Sequence, residues 1–137
     1  MIIVDTNVLG ELVRPHPNAD VIAWMDRQAA SELVTTAITV AEMELGIAKM
    51  AEGKRRTQLV ALNAAILGRL AAVLPFSADE AVSYAYVVNK RQRLGRRIEP
   101  LDAQIAAIAL SHKAVVATRN TKDFDDTGLD LINPWEA

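Results

Sequence analysis

The sequence predicts an α/β fold, a sandwich of helices around a mostly parallel sheet, on three observations. Short apolar runs rich in β-branched residues alternate with longer segments of helical periodicity. Two of those runs, Met1–Val4 and Ala114–Ala117, are continuously apolar, as expected of parallel strands buried on both faces. The 137 residues are 51% hydrophobic yet only 4% aromatic, so the core must be built from Ala, Val, Ile and Leu, which suits layered helices and strands. A chain of this length buries a substantial core as one domain. No internal repeat, low-complexity stretch or linker divides it, and residues 1–137 read as a single unit.

The elements follow in order. The first strand runs into Asp5-Thr6-Asn7, and Asn7 to Val13 predicts a short helix, stopped by Arg14-Pro15-His16-Pro17. Asn18 or Asp20 caps a helix to about Ala29, with Val21, Ile22, Trp24 and Met25 on its apolar side. Leu33–Thr36 is a second strand. From Thr39 a helix places Val40, Met43, Ile47 and Met50 on neighbouring turns and stops near Gly53. A longer amphipathic helix carries Leu59, Leu62, Ile66, Leu67 and Leu70. Val73–Phe76 is a weak third strand, after which Ser77 or Asp79 caps a helix through about Arg93, ended by Gly95. Pro100 and Asp102 open another helix, with Leu101, Ile105, Ile108 and Ala109 sharing a face. Ala114–Thr118 and Leu129–Asn133 supply the remaining strands.

Composition excludes several classes of function. With no cysteine there is no disulfide framework and no thiolate metal site. No apolar stretch approaches a membrane span, and Asp5 interrupts the N-terminus too early for a signal peptide, so the expected compartment is the cytoplasm. A net charge of −2 is wrong for a globally basic nucleic-acid binder, although Lys49, Lys54, Arg55 and Arg56 form one basic cluster and Lys90, Arg91, Arg93, Arg96 and Arg97 another. Solvated helix faces explain either cluster alone; two of them beside an acidic centre point to phosphate.

That acidic centre follows from topology. Ligands of open α/β sheets bind outside the carboxyl ends of the strands. Asp5 closes the first strand, and Asn120 and Asp123 follow the strand Ala114–Thr118. Glu42 is expected in the first turn of a helix that follows the second strand, and Asp102 in the first turn of the helix directly before the fourth. If that last helix packs antiparallel to its strand, all of these side chains converge on one rim. Four oxygen ligands without imidazole or thiol suit Mg²⁺ or Mn²⁺. A divalent ion would relieve the repulsion among the carboxylates and enable phosphodiester hydrolysis.

Each acid also has a structural role available. Thr39 and Glu42 have the spacing of a capping box, Asp102 suits a helix N-terminus, and Asn120 and Asp123 are turn formers. The functional case rests on their coincidence at one edge. His16 and His112 lack ligand-like spacing and read as structural, and Trp24 and Trp135 read as packing residues.

Taken together, Ile3-Val4-Asp5-Thr6-Asn7, Glu42, Asp102-Ala103-Gln104-Ile105-Ala106 and Thr118-Arg119-Asn120-Thr121-Lys122-Asp123-Phe124 resemble a PIN domain, most closely the VapC/FitB-type toxins of bacterial toxin–antitoxin pairs. The resemblance covers essentially the whole chain. It implies a three-layer α/β/α sandwich on about five parallel strands and Mg²⁺- or Mn²⁺-dependent endoribonuclease activity on structured RNA such as tRNA or rRNA. By the same resemblance Asp5, Glu42 and Asp102 match the metal-binding acids, Asp123 the more variable fourth, and Thr6, Asn7, Thr118 and Asn120 the polar residues that orient ligands or water. It further implies a cognate antitoxin covering the site, operator DNA met only through that antitoxin, and a homodimer. Lys49, Arg91 and Arg93 are the candidate RNA contacts.

Three other readings compete. A haloacid-dehalogenase-like phosphatase needs a second aspartate where this chain has Asn7, and a receiver domain needs paired early acids and a strand-end lysine. A non-catalytic PIN-fold protein that binds RNA or a partner would not need acids at all four positions.

Overall fold

Apolar, β-branched runs form the centre of this molecule and polar caps set where its helices begin. The computed structural model describes all residues, 1–137. Five parallel strands, β1 (Ile2–Val4), β2 (Leu33–Thr36), β3 (Ala72–Leu74), β4 (Val115–Ala117) and β5 (Leu131–Ile132), lie in the order β3-β2-β1-β4-β5. The sheet is wholly parallel. Ile3, at its middle, pairs with Val34 on one side and Val116 on the other, and Ile3, Val4 and Val116 are fully buried. The last strand is shorter than Leu129–Asn133.

Helices α1 (Thr6–Leu12), α2 (Ala19–Arg27) and α3 (Ala37–Ala48) cover one face, where Val4, Val8, Leu9, Trp24, Met25 and Met43 pack together. Asn18 caps α2 by accepting from the backbone of Asp20 and Val21. On the other face lie α5 (Ala81–Arg93) and α6 (Pro100–His112). Ile108 and Ala109 of α6 pack on Ile3, Val34 and Val116, while Ile105 packs with Val87 and Phe124. Side chains as large as Ile105 and Phe124 contribute about 2 kcal/mol each when fully buried. Leu101 does not share their face; it is exposed.

α5 and α6 form an antiparallel pair. Glu80 and His112 lie 4.0 Å apart at one end, and Arg91 binds the carbonyls of Arg96 and Arg97, in the short linker, at the other. The end of α5 and the start of α6 therefore meet at the carboxyl edge of the sheet. Gly95, with φ +69°, makes the turn between them.

α4 (Lys54–Gly68) is only partly covered. Ile66, Leu67 and Leu70 pack against the core and Leu59 is half-buried, so of the expected apolar face only Leu62 is exposed, beside Val60. No helix of the structure is long and apolar enough to cross a membrane.

Candidate active site

β1 and β4 are neighbours, so the residues that follow them emerge side by side. The Asp5 amide donates to the Ala117 carbonyl at 3.0 Å, extending the ladder by one bond. The Asp5 side chain then turns back as the N-cap of α1, accepting from the Thr6 amide at 2.8 Å. Its second oxygen accepts from the Thr118 hydroxyl at 2.8 Å and from Asn7 Nδ2 at 3.1 Å. Asn7 also donates to Thr118 Oγ1 and accepts from the Arg119 amide, so one amide side chain stitches both strand ends. Asp5 is buried, and burial raises its pKa against the pull of those three hydrogen bonds.

Glu42 enters from α3. The cap of that helix is Thr36, whose hydroxyl accepts from the Thr39 amide at 3.2 Å. The expected capping box of Thr39 and Glu42 is therefore not formed, and Glu42 lies beyond the first turn. The reason is that Thr36 ends β2 with its hydroxyl already turned toward the helix, three residues earlier than the sequence pattern placed the cap. Freed from capping, Thr39 is buried 3.2 Å from Thr6 Oγ1, and the Thr6 hydroxyl donates to Glu42 Oε1 at 2.9 Å.

Asp102 sits in the first turn of α6, whose antiparallel course does bring it to this rim. Its carboxyl is pushed from the ordinary 3.8 up to about 6, first by burial and then by the negative charges of Asp5, Asp123, Glu42 and Glu99. Asp123 lies in a 3₁₀ turn, Thr121–Phe124, directly after β4. The structure thus brings Asp5, Glu42, Asp102 and Asp123 into one electrostatic field. None of the four makes an ion pair. Sequence reasoning missed Glu99, the N-cap position of α6, although an acid directly before a helix-opening proline is a readable signal.

All the donors in this cluster are oxygens, and both histidines lie outside it, His112 beside Glu80. Such a set suits a hard dication. No three acids close on one point as they stand, so the convergence expected from the sequence reaches a shared rim but not a preformed cluster.

The other expected residues separate into two groups. Thr6, Asn7 and Thr118 belong to the network, whereas Asn120 joins through its backbone amide, which donates to Thr118 Oγ1, and its side chain is exposed. Arg91 is not a surface contact for RNA. It is buried, and its guanidinium donates to four backbone carbonyls. A position near the end of a basic helix looked solvated, but the α5–α6 linker folds over it. Lys49 caps the far end of α3, two turns from Glu42 and so about 10 Å further along the axis. Arg93 is exposed at the last residue of α5. Trp24 is core, as expected, and Trp135 is half-buried beneath the Arg119 guanidinium, 5.0 Å from its ring centre.

Comparison with known proteins bears on what this rim is. The PIN domain family model matches residues 2–129. The chain is 46% identical to the VapC ribonuclease Y4jK of Sinorhizobium fredii, over 99% of each protein. It is 39% identical to the toxin FitB of Neisseria gonorrhoeae, over 98% of this chain and 99% of the relative. The FitAcB crystal structure from Neisseria gonorrhoeae superposes with a TM-score of 0.93 at 39% identity, covering 100% of both chains. VapBC-1 from nontypeable Haemophilus influenzae gives a TM-score of 0.80 at 27% identity, again over 100% of both. In sequence and in fold, the chain belongs to the PIN-domain family and to its VapC/FitB type.

Proposed function

We propose that this protein is a metal-dependent endoribonuclease toxin that hydrolyses phosphodiester bonds in structured RNA, such as tRNA or rRNA, and is neutralised by a cognate antitoxin. The observation that carries the reading is Asp102. A carboxyl raised to about 6 by burial and four surrounding acids, with no basic side chain in reach, is a charge arrangement that a bound cation would complete. The ribonuclease names of the relatives support the same reading.

Asp5 and Asp102 would hold Mg²⁺ or Mn²⁺ directly, with Glu42 and Asp123 doing so directly or through water. The bound ion supplies Lewis acidity, lowering the pKa of water and offsetting charge on the attacked phosphate. The chain supplies orientation. Thr118 and Asn7 fix the plane of the Asp5 carboxylate, and Thr6 fixes Glu42 from the same helix start. None of these residues need act as a covalent nucleophile. In this reading Arg93 and, more distantly, Lys49 would contact phosphate, which positions RNA without reading its sequence.

The partner reading rests on the relatives. One solved neighbour, 39% identical, is FitAB bound to an IR36 DNA fragment, and others are VapBC pairs. For this chain we infer an antitoxin covering the rim, operator DNA met only through it, and a homodimer. The exposed apolar surface of α4 leaves room for such contacts.

The test is cleavage of total RNA by partner-free wild-type protein and by Asp5→Asn, each with Mg²⁺, Mn²⁺ or EDTA. Discrete fragments that require metal and vanish in the folded variant are expected. Equal cleavage by both proteins would overturn the site assignment.

A further inference from the structure

The one buried arginine of the chain does not pair with an acid. Arg91 Nε donates to the Arg96 carbonyl at 2.7 Å and Nη2 to the Arg97 carbonyl at 3.2 Å. Nη1 donates to the carbonyls of Asp123, at 3.1 Å, and Asp125, at 2.7 Å. A buried cation is costly unless its donors are satisfied. Here the satisfaction comes wholly from backbone oxygens of two separate segments. One leads into Glu99 and the first turn of α6, where Asp102 stands; the other is the 3₁₀ turn that carries Asp123.

We propose that Arg91 is a positioning residue for the carboxylate site, its guanidinium fixing the Asp123 turn against the linker that starts the Asp102 helix. The assignment rests on the metal-dependent reading above. It explains how an exposed acid on a short turn is held in place although its own side chain is not tethered. The turn has other supports. Phe124 is anchored in the core, the Thr127 hydroxyl donates to the Phe124 carbonyl, and Arg96 pairs with Asp125 and Asp126 on the surface. Of these, Phe124 packs on Ile105 and Ala106 of α6 and Arg96 bridges from the linker on the surface, but only Arg91 hydrogen-bonds the backbone carbonyls of both segments.

A planar fork with five N–H donors can serve two segments at once; a lysine ammonium cannot reproduce that geometry. Charge and geometry can therefore be separated by Arg91→Lys, which keeps the cation, and Arg91→Met, which keeps only the stem.

The experiment is titration of Mn²⁺ into purified, full-length protein, followed by calorimetry and Mn²⁺ electron paramagnetic resonance. The variants are R91K, R91M, D123N and R91M/D123N, with D5N as the reference for loss of the site. Amide hydrogen exchange runs alongside in metal-free samples. We expect R91K and R91M to bind Mn²⁺ about tenfold more weakly than wild type. Exchange should quicken over residues 120–127 while β1 and β4 stay protected. Because Arg91 acts through Asp123, the double variant should bind no more weakly than D123N alone.

R91K with wild-type affinity would overturn the geometric role, as would losses from R91M and D123N that multiply in the double variant. Should R91M fail to fold, R91K and its exchange pattern still decide the matter. Wild-type protein that binds no Mn²⁺ would overturn the nuclease reading and the role of Arg91 with it. Tight wild-type binding that neither arginine variant alters would overturn the role of Arg91 alone.

Discussion

The rim has two halves that hold their acids by different means. Where β1 and β4 end, Asp5 accepts three hydrogen bonds from Thr6, Asn7 and Thr118 and is buried among them. Where α6 begins, Asp102 receives no such help and faces four other negative charges across a half-buried surface. The strand-end half is a finished polar network, its hydrogen bonds satisfied within the chain itself. The helix-start half is left electrostatically incomplete. On the proposed function, a site made this way would keep one ligand rigid and make another responsive to the arrival of a cation. Its backbone control is equally divided: side-chain donors orient Asp5, whereas a buried guanidinium grips the main chain beneath Asp123.

Asp102→Asn tests the incomplete half and should have the largest effect. Cleavage should fall on the order of 10²- to 10³-fold, the scale of losing one preorganised electrostatic element. Stability should move the other way. The folded-state pKa of Asp102 lies above its ordinary value, so its stabilising contribution is complete below pH about 3.8 and is lost as pH rises toward about 6. At neutral pH the ionised side chain works against folding. Asn should therefore stabilise metal-free protein by about 1 kcal/mol, after allowance for screening at a half-exposed site, read as a rise in Tm. Because the proton on Asp102 competes with the cation, the metal concentration needed for cleavage should rise as pH falls through about 6. A variant less stable than wild type without metal would break the contrast between the halves.

Thr118→Val tests the finished half. It deprives Asp5 of a donor at 2.8 Å and leaves Asn7 and the Asn120 amide without their acceptor. Destabilisation of about 1–3 kcal/mol is expected from the stranded buried groups, measurable by urea unfolding, with a loss of cleavage smaller than that of Asp102→Asn. Arg93→Ala should have the smallest effect. If the exposed end of α5 touches phosphate, RNA binding weakens evenly across sequences and the slope of log K against log salt flattens by about one. An unchanged slope returns Arg93 to a solvated helix end.

Much of this was legible in the sequence because it depends on local rules. The apolar runs gave the strands, with Leu33–Thr36 placed to the residue, and Asn18 and Gly95 marked helix ends through their hydrogen bonding and backbone conformation. The rim itself was readable because strand ends and helix starts share one edge in a parallel sheet. What escaped depends on contacts between distant segments. Thr36 and Thr39 both satisfy capping chemistry, and only the exit direction of β2 chooses between them. Arg91 sits in a basic run that looks solvated until the linker after Gly95 folds back over it. α4 has helical leucine spacing, yet no second layer arrives to cover Leu62. Periodicity reports that a face is apolar; it does not report whether this chain supplies the surface that covers it.

The central place of β1 also sets a clock. Asp5 is synthesised well before the residues that hold it: its amide partner is Ala117 and its hydroxyl donor is Thr118, 113 residues later. At ordinary translation rates roughly ten seconds separate the two. Throughout that interval the nascent chain carries the first carboxylate without the strand that orients it, and without Asp102 until late. During the synthesis of everything between β1 and β4 the site is unassembled, and the finished one exists only once β4 is available to fold beside β1.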